Sequence, residues 1–147
     1  MKEHRYDLLY AINSTIYIAA FFILLSLFGM EQNSYLRLVN LLIVFYFSNK
    51  LARKNNKENI TWTYINGFVS IFTMNVITTI FSIIGFILYV LVVDDLFLTK
   101  IDGGLLWPKG LKLPQACSAL FLEGISGAII ASFALMYYWK DVKHTAN

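Results

Sequence analysis

Asn59–Val93, NITWTYINGFVSIFTMNVITTIFSIIGFILYVLVV, runs 35 residues without a charged side chain. An α-helix rises about 1.5 Å per residue, and about 20 apolar residues cross a hydrocarbon core of roughly 30 Å. The stretch is long enough to cross a bilayer with residues to spare. It marks an integral membrane protein without saying what that protein does. Two spans cannot fit in it, because no residues would remain for a loop. The surplus length goes into tilt, a bend near Gly85 or protrusion from the bilayer.

Three further blocks flank this one. The first, Leu8–Met30, lies between Asp7 and Glu31. Lys2 and Arg5 precede it as they would in a signal peptide. However, the run is longer than a typical apolar leader core, and Phe28-Gly29-Met30-Glu31 is no cleavage site. It reads as a retained span. The second block, residues 34–52, is interrupted by Arg37 and has an apolar core of only Leu38–Ser48. It spans if Arg37 snorkels to one interface and Lys50 and Arg53 anchor the other. The fourth, residues 114–139, opens at Pro114, which suits a first helical turn because that turn's N–H groups have no intrahelical partner. The chain is therefore expected to be a single all-α domain, a four-transmembrane-helix bundle with spans at about 8–30, 34–52, 62–93 and 114–139.

Lys and Arg placement orients it. Lys2, Arg5, Lys50, Arg53, Lys54, Lys57, Lys140 and Lys143 fall on one side, and Arg37, Lys100, Lys109 and Lys112 on the other. The bias of eight to four puts both termini and the basic loop at 49–61 in the cytoplasm, here of a bacterial inner membrane. Tyr6, Tyr10, Tyr46, Trp62, Tyr64, Tyr137, Tyr138 and Trp139 fall at the expected cytoplasmic ends, where such rings favour the headgroup layer. The segment 94–112 is too apolar for a solvated loop and is expected on the outer surface or folded back over the helices.

The composition, 58% hydrophobic and 14% charged, against about 25% charged in soluble domains, agrees with this class. No basic stripe suits nucleic acid. Cys117 stands alone, which leaves no intramolecular disulfide. His4 and His144 belong to no ligand cluster, and no Gly-rich phosphate loop, nucleophile elbow or zinc-protease motif occurs. No catalytic residue, metal site or cofactor is expected.

Glu123, near the outer third of the fourth span, is the residue that could carry chemistry. An intramembrane carboxylate costs several kcal/mol unless it is paired, hydrated or protonated. Arg37 and Asn40 could reach its depth. The pair could be a structural clasp, which we favour, or a proton or cation site with Glu123 as carrier. Alternatively the span starts later and Glu123 faces interfacial water. Gly124, Ala128 and Ser132, with Gly127 and Ala131 beside them, form a small-residue packing face suited to close helix approach in lipid. On the third span Asn66, Ser70, Thr73, Asn75, Thr78, Thr79 and Ser82 suggest a polar stripe. Interhelical hydrogen bonding is the plainer explanation, and a pathway the alternative.

The short outer loop after span one, the basic cytoplasmic loop, Gly67, the exit Tyr89-Val-Leu-Val-Val-Asp94-Asp95 and the Glu123-Gly124 start of the small-residue row together resemble a family of uncharacterised bacterial four-span membrane proteins. That resemblance implies the architecture and no activity. Small multidrug exporters fit less well, because span one offers Asn13, Ser14 and Thr15 where they carry an essential Glu. Membrane glutathione-handling enzymes carry arginines that Glu58–Asn66 lacks. The expected role is a non-enzymatic accessory or scaffold subunit acting by helix association, as a homo-oligomer or within a larger membrane complex. The alternative is a small proton- or cation-coupled transporter using Glu123.

Overall fold

The structure, a computed structural model, describes residues 3–30, 37–58, 63–93, 96–100 and 111–142. The regular elements among them are helices: α1 (Glu3–Leu27), α2 (Arg37–Glu58), α3 (Tyr64–Val92), the single turn α4 (Phe97–Lys100) and α5 (Leu113–Val142). Three are long and apolar enough to cross a membrane, over Tyr6–Leu27, Tyr64–Val92 and Leu113–Trp139. The block expected as a second span is helical but is not one of these three, because its second half carries Lys50, Arg53, Lys54 and Lys57.

The helix ends follow from local chemistry. Gly29 takes φ +66°, and the Met30 and Gly29 N–H groups reach back to the Leu25 and Ser26 carbonyls. This is a Schellman stop, which ends α1 at Leu27 although the apolar block continues to Met30. At the start of α5, the Gln115 side chain accepts from the Lys112 N–H at 3.0 Å, the reciprocal half of a capping box. The segment at 49–61, expected as a loop, is helical through Glu58. Lys and Arg are good helix formers, and Leu51, Ala52 and Asn55 bury one face while Arg53 and Lys57 stay exposed on the other. α3 continues unbroken through Gly85.

α3 lies against α1, α2 and α5, and α2 also touches α1 and α5. Ser70 meets Asp7 and Tyr89 meets Ser26, both 63 residues apart. α1 and α3 are thus parallel, in one register over about five turns. α2 runs antiparallel to both, since Asn55 meets Ser70 while the earlier Ser48 meets the later Asn75. Trp139 Nε1 donates to Asn49 Oδ1 at 2.9 Å. The starts of α1 and α3 and the finishes of α2 and α5 therefore share one end. At the opposite end Phe97 packs against the helices, with its ring 5.3 Å from Tyr89, 5.9 Å from Phe22 and 6.1 Å from Phe86. Leu105, Leu106 and Trp107 of that segment, and Trp62, lie outside the described residues.

The distribution of side chains suits lipid. Ile16, Ile23, Leu42, Leu88 and Ile130 are exposed, whereas Ser14, Ser48, Asn75, Thr78 and Ser132 are buried. Hydrocarbon satisfies no polar group, so such groups turn inward.

Two glycines test the packing. A Cβ at Gly124 would fall 2.5 Å from Thr79 Oγ1 and closer still to its methyl, whereas nothing lies within 4 Å of one at Gly85. Overpacking costs about 1–3 kcal/mol and the helix-propensity gain of Gly→Ala is about 1 kcal/mol. Gly124→Ala should therefore lower the thermal unfolding midpoint in detergent, and Gly85→Ala should leave it unchanged or raise it. The reverse ranking would mean that α3 and α5 do not pack this way.

Candidate functional site

Asp7 sits one turn inside α1, 3% exposed. It comes to lie there because α1 begins at Glu3, before the apolar block. Its Oδ1 accepts from Ser70 Oγ at 2.5 Å, and Ser70 Oγ accepts from Asn55 Nδ2 at 3.1 Å. The chain Asn55→Ser70→Asp7 links α2, α3 and α1 through one carboxylate. Five residues further along α3, about 7.5 Å, Ser48 Oγ donates to Asn75 Oδ1 at 2.9 Å and also lies 3.9 Å from Met74 Sδ. Asn75 Nδ2 has no partner although Asn75 is 2% exposed, and neither has Ser14 Oγ, whose residue is fully buried. Ser82 Oγ and Asn40 Oδ1 are likewise buried and unpartnered.

The polar residues of α3 divide by role. Ser70 and Asn75 bond to neighbouring helices. Thr78 and Thr79 donate to the carbonyls of Met74 and Asn75 on their own helix, the local alternative open to short hydroxyl side chains. Asn66 is exposed.

Glu123 is exposed on α5, outside this interior track. The Arg37 side chain lies outside the described residues, but its backbone position is defined. A Cβ at Gly127 would meet Leu41 Cδ1 at 3.2 Å, and one turn back along each parallel helix brings Glu123 and Arg37 to the same level. Asn40 is half-buried on α2. Of the small-residue face, Gly124 lies against Thr79 of α3 and Gly127 against Leu41 of α2, while Ala128, Ala131 and Ser132 are buried. The face is taken up within the chain.

Sequence reasoning passed over Asp7 as a border of the apolar block. The signal was there: Asp7, Ala11 and Ser14 recur at i, i+4 and i+7, a small and polar row on an otherwise bulky helix, and all three are buried. Ser48 and Asn55 gave no such signal, since both sit among polar and basic neighbours. Among the described residues no three of His, Cys, Asp and Glu lie together as metal ligands would. No known protein family, curated protein or solved structure matches the chain.

Interhelical hydrogen bonds in membranes average about 0.6 kcal/mol and reach about 1.7. Ser48→Ala leaves Asn75 without its one described side-chain donor, so its cost should fall at the upper end. Adding Asn75→Leu should recover part of that cost in the same unfolding measurement. A double variant less stable than Ser48→Ala alone would deny the pair its role.

Proposed function

We propose that the chain is a four-span protein of a bacterial inner membrane, with both termini in the cytoplasm, that acts without enzymatic chemistry as an accessory or scaffold subunit through helix association. Three apolar helices support the membrane setting. The apolar first half of α2 and its contacts with α1, α3 and α5 support a fourth crossing. Lys50, Arg53 and Lys57, all exposed at the end shared by the starts of α1 and α3, support the cytoplasmic side by the positive-inside rule.

The observation that carries the association reading is Glu123. It stands exposed on α5 near Leu122 and Ile130, which are also exposed. A carboxylate on a lipid-facing flank is costly until something pairs with it. A polar or cationic group on another subunit's helix is such a partner. The test is the mass of the intact complex after gentle detergent extraction, for the wild type and for Glu123→Leu. A stoichiometric foreign subunit, lost from Glu123→Leu, is the expected result. A lone monomer in both samples would refute the accessory role. A complex of this chain alone would move the balance to the second reading.

That second reading is a small proton- or cation-coupled transporter. Its support lies less with Glu123 than with the interior, where Asp7 is buried and Asn75 Nδ2 and Ser14 Oγ are buried without a partner.

A further inference from the structure

We infer that the outer face of α2 is a binding site for an anionic phospholipid, with Lys50, Arg53 and Lys57 on the phosphodiester and Leu38 and Leu42 along an acyl chain. The inference rests on the membrane setting and goes beyond the accessory role, which it leaves untouched.

The spacing builds the face. Leu38, Leu42, Tyr46, Lys50, Arg53 and Lys57 follow one another at intervals of four or three residues. All six are exposed, and at 3.6 residues per turn they fall within an arc of about 120°. Leu38 to Tyr46 covers about 12 Å of apolar surface, and Lys50 to Lys57 covers about 10 Å of basic surface. A line that turns from apolar to basic matches the polarity of an anionic lipid. Tyr46 stands at the change, where tyrosine rings favour the headgroup boundary, and Lys50 Nζ lies 4.8 Å from its ring centroid. Lys54 is half-buried and lies toward α1 instead, with its Nζ 4.0 Å from the Tyr6 ring centroid.

The register of the helices sets the depth. Ser48 is bonded to Asn75 and Asn55 to Ser70, so Ser48–Asn55 runs beside Ser70–Asn75 of α3. The offset of 63 between α1 and α3 brings Asp7–Ile12 of α1 alongside as well. Leu8, Leu9 and Ile12 are exposed there. Lys50 and Arg53 therefore lie where a neighbouring helix still turns apolar side chains outward, rather than beyond them. Cations at that depth need water or an anion, and lipid phosphate is the anion that a bilayer itself supplies.

Charge complementarity points the same way. Arg37–Lys57 contains no Asp or Glu. Lys50, Arg53 and Lys57 are three and four residues apart, so they are neighbours on the helix surface and repel one another. A phosphodiester between them relieves the repulsion, Arg53 supplying a planar pair of donors and each lysine an ammonium. A zwitterionic headgroup would bring its own ammonium onto the same cations. The face therefore selects headgroups of net negative charge, as basic clusters beside a membrane span do.

The test is native mass spectrometry of the full chain in detergent, with phosphatidylglycerol and phosphatidylethanolamine of the same acyl chains added in equal amounts. The wild type should retain phosphatidylglycerol in preference. Arg53→Gln and Lys57→Gln should each lower that preference about fivefold, since a basic residue near a membrane surface is worth about 1 kcal/mol toward anionic lipid. Both side chains are exposed and Gln is a good helix former, so the unfolding midpoint should not move. Lys112→Gln removes the same charge from an exposed lysine at the other end and should keep the wild-type preference. Glycerophosphoglycerol, the headgroup without its chains, should not displace the lipid. Equal retention of the two lipids by the wild type would overturn the inference. So would an equal loss in Lys112→Gln, which would reduce the effect to net charge, or displacement by glycerophosphoglycerol, which would make the ligand a soluble phosphodiester. A foreign subunit would show as a separate, larger mass in the same spectrum, so failure of this inference and failure of the accessory role are read apart.

Discussion

Hydrocarbon gives apolar helices no reason to associate, so everything in this protein depends on how closely its helices approach and which polar groups they share. α3 carries most of that work. Gly124 brings α5 down onto Thr79, Ser48 of α2 bonds to Asn75, and Asp7 of α1 bonds to Ser70. Many large apolar side chains, among them Ile16, Ile23, Leu42, Leu88 and Ile130, are on the outside, although Leu51, Ile71, Met74 and Met136 are buried. Small and polar residues are inside because, in lipid, close backbone approach and shared hydrogen bonds favour them there.

The carboxylates of Asp7 and Glu123 show the consequence. Glu123 lies deep in an apolar block, yet the rotation of α5 turns it outward. Asp7 marks the edge of an apolar block, yet helix α1 begins a turn earlier and carries it inward beneath Ser70. Depth along the chain and facing across the bundle are independent, and the cost of a charge depends on both. In the proposed reading Glu123 therefore belongs to what the protein touches.

Local chemistry was unevenly legible. Gly29 announces the end of α1, because a glycine past an apolar run suits the left-handed residue of a Schellman stop. The basic segment after Asn49 misled, because Lys and Arg signal both a cytoplasmic flank and a good helix. What decides between these is whether Leu51, Ala52 and Asn55 find a surface to bury against, and they do. The small row from Gly124 to Ser132 was visible as a packing face, but nothing in its spacing told which helix would receive it.

The sequence by itself determined the solvent. The uncharged run from Asn59 to Val93 can belong only to a membrane protein, because hydropathy sums along the chain and needs no neighbours. It also determined that two blocks are free of charge throughout, that a third carries only Glu123 and that one is mixed. Tertiary structure alone decided which face of each helix turns inward, and so made Asp7, Ser70 and Asn55 one site and left Glu123 outside it. The reason is geometric. A helix presents each residue at a fixed angle, but the direction of that angle is set by close contacts such as Gly124 against Thr79, made between residues far apart in the chain.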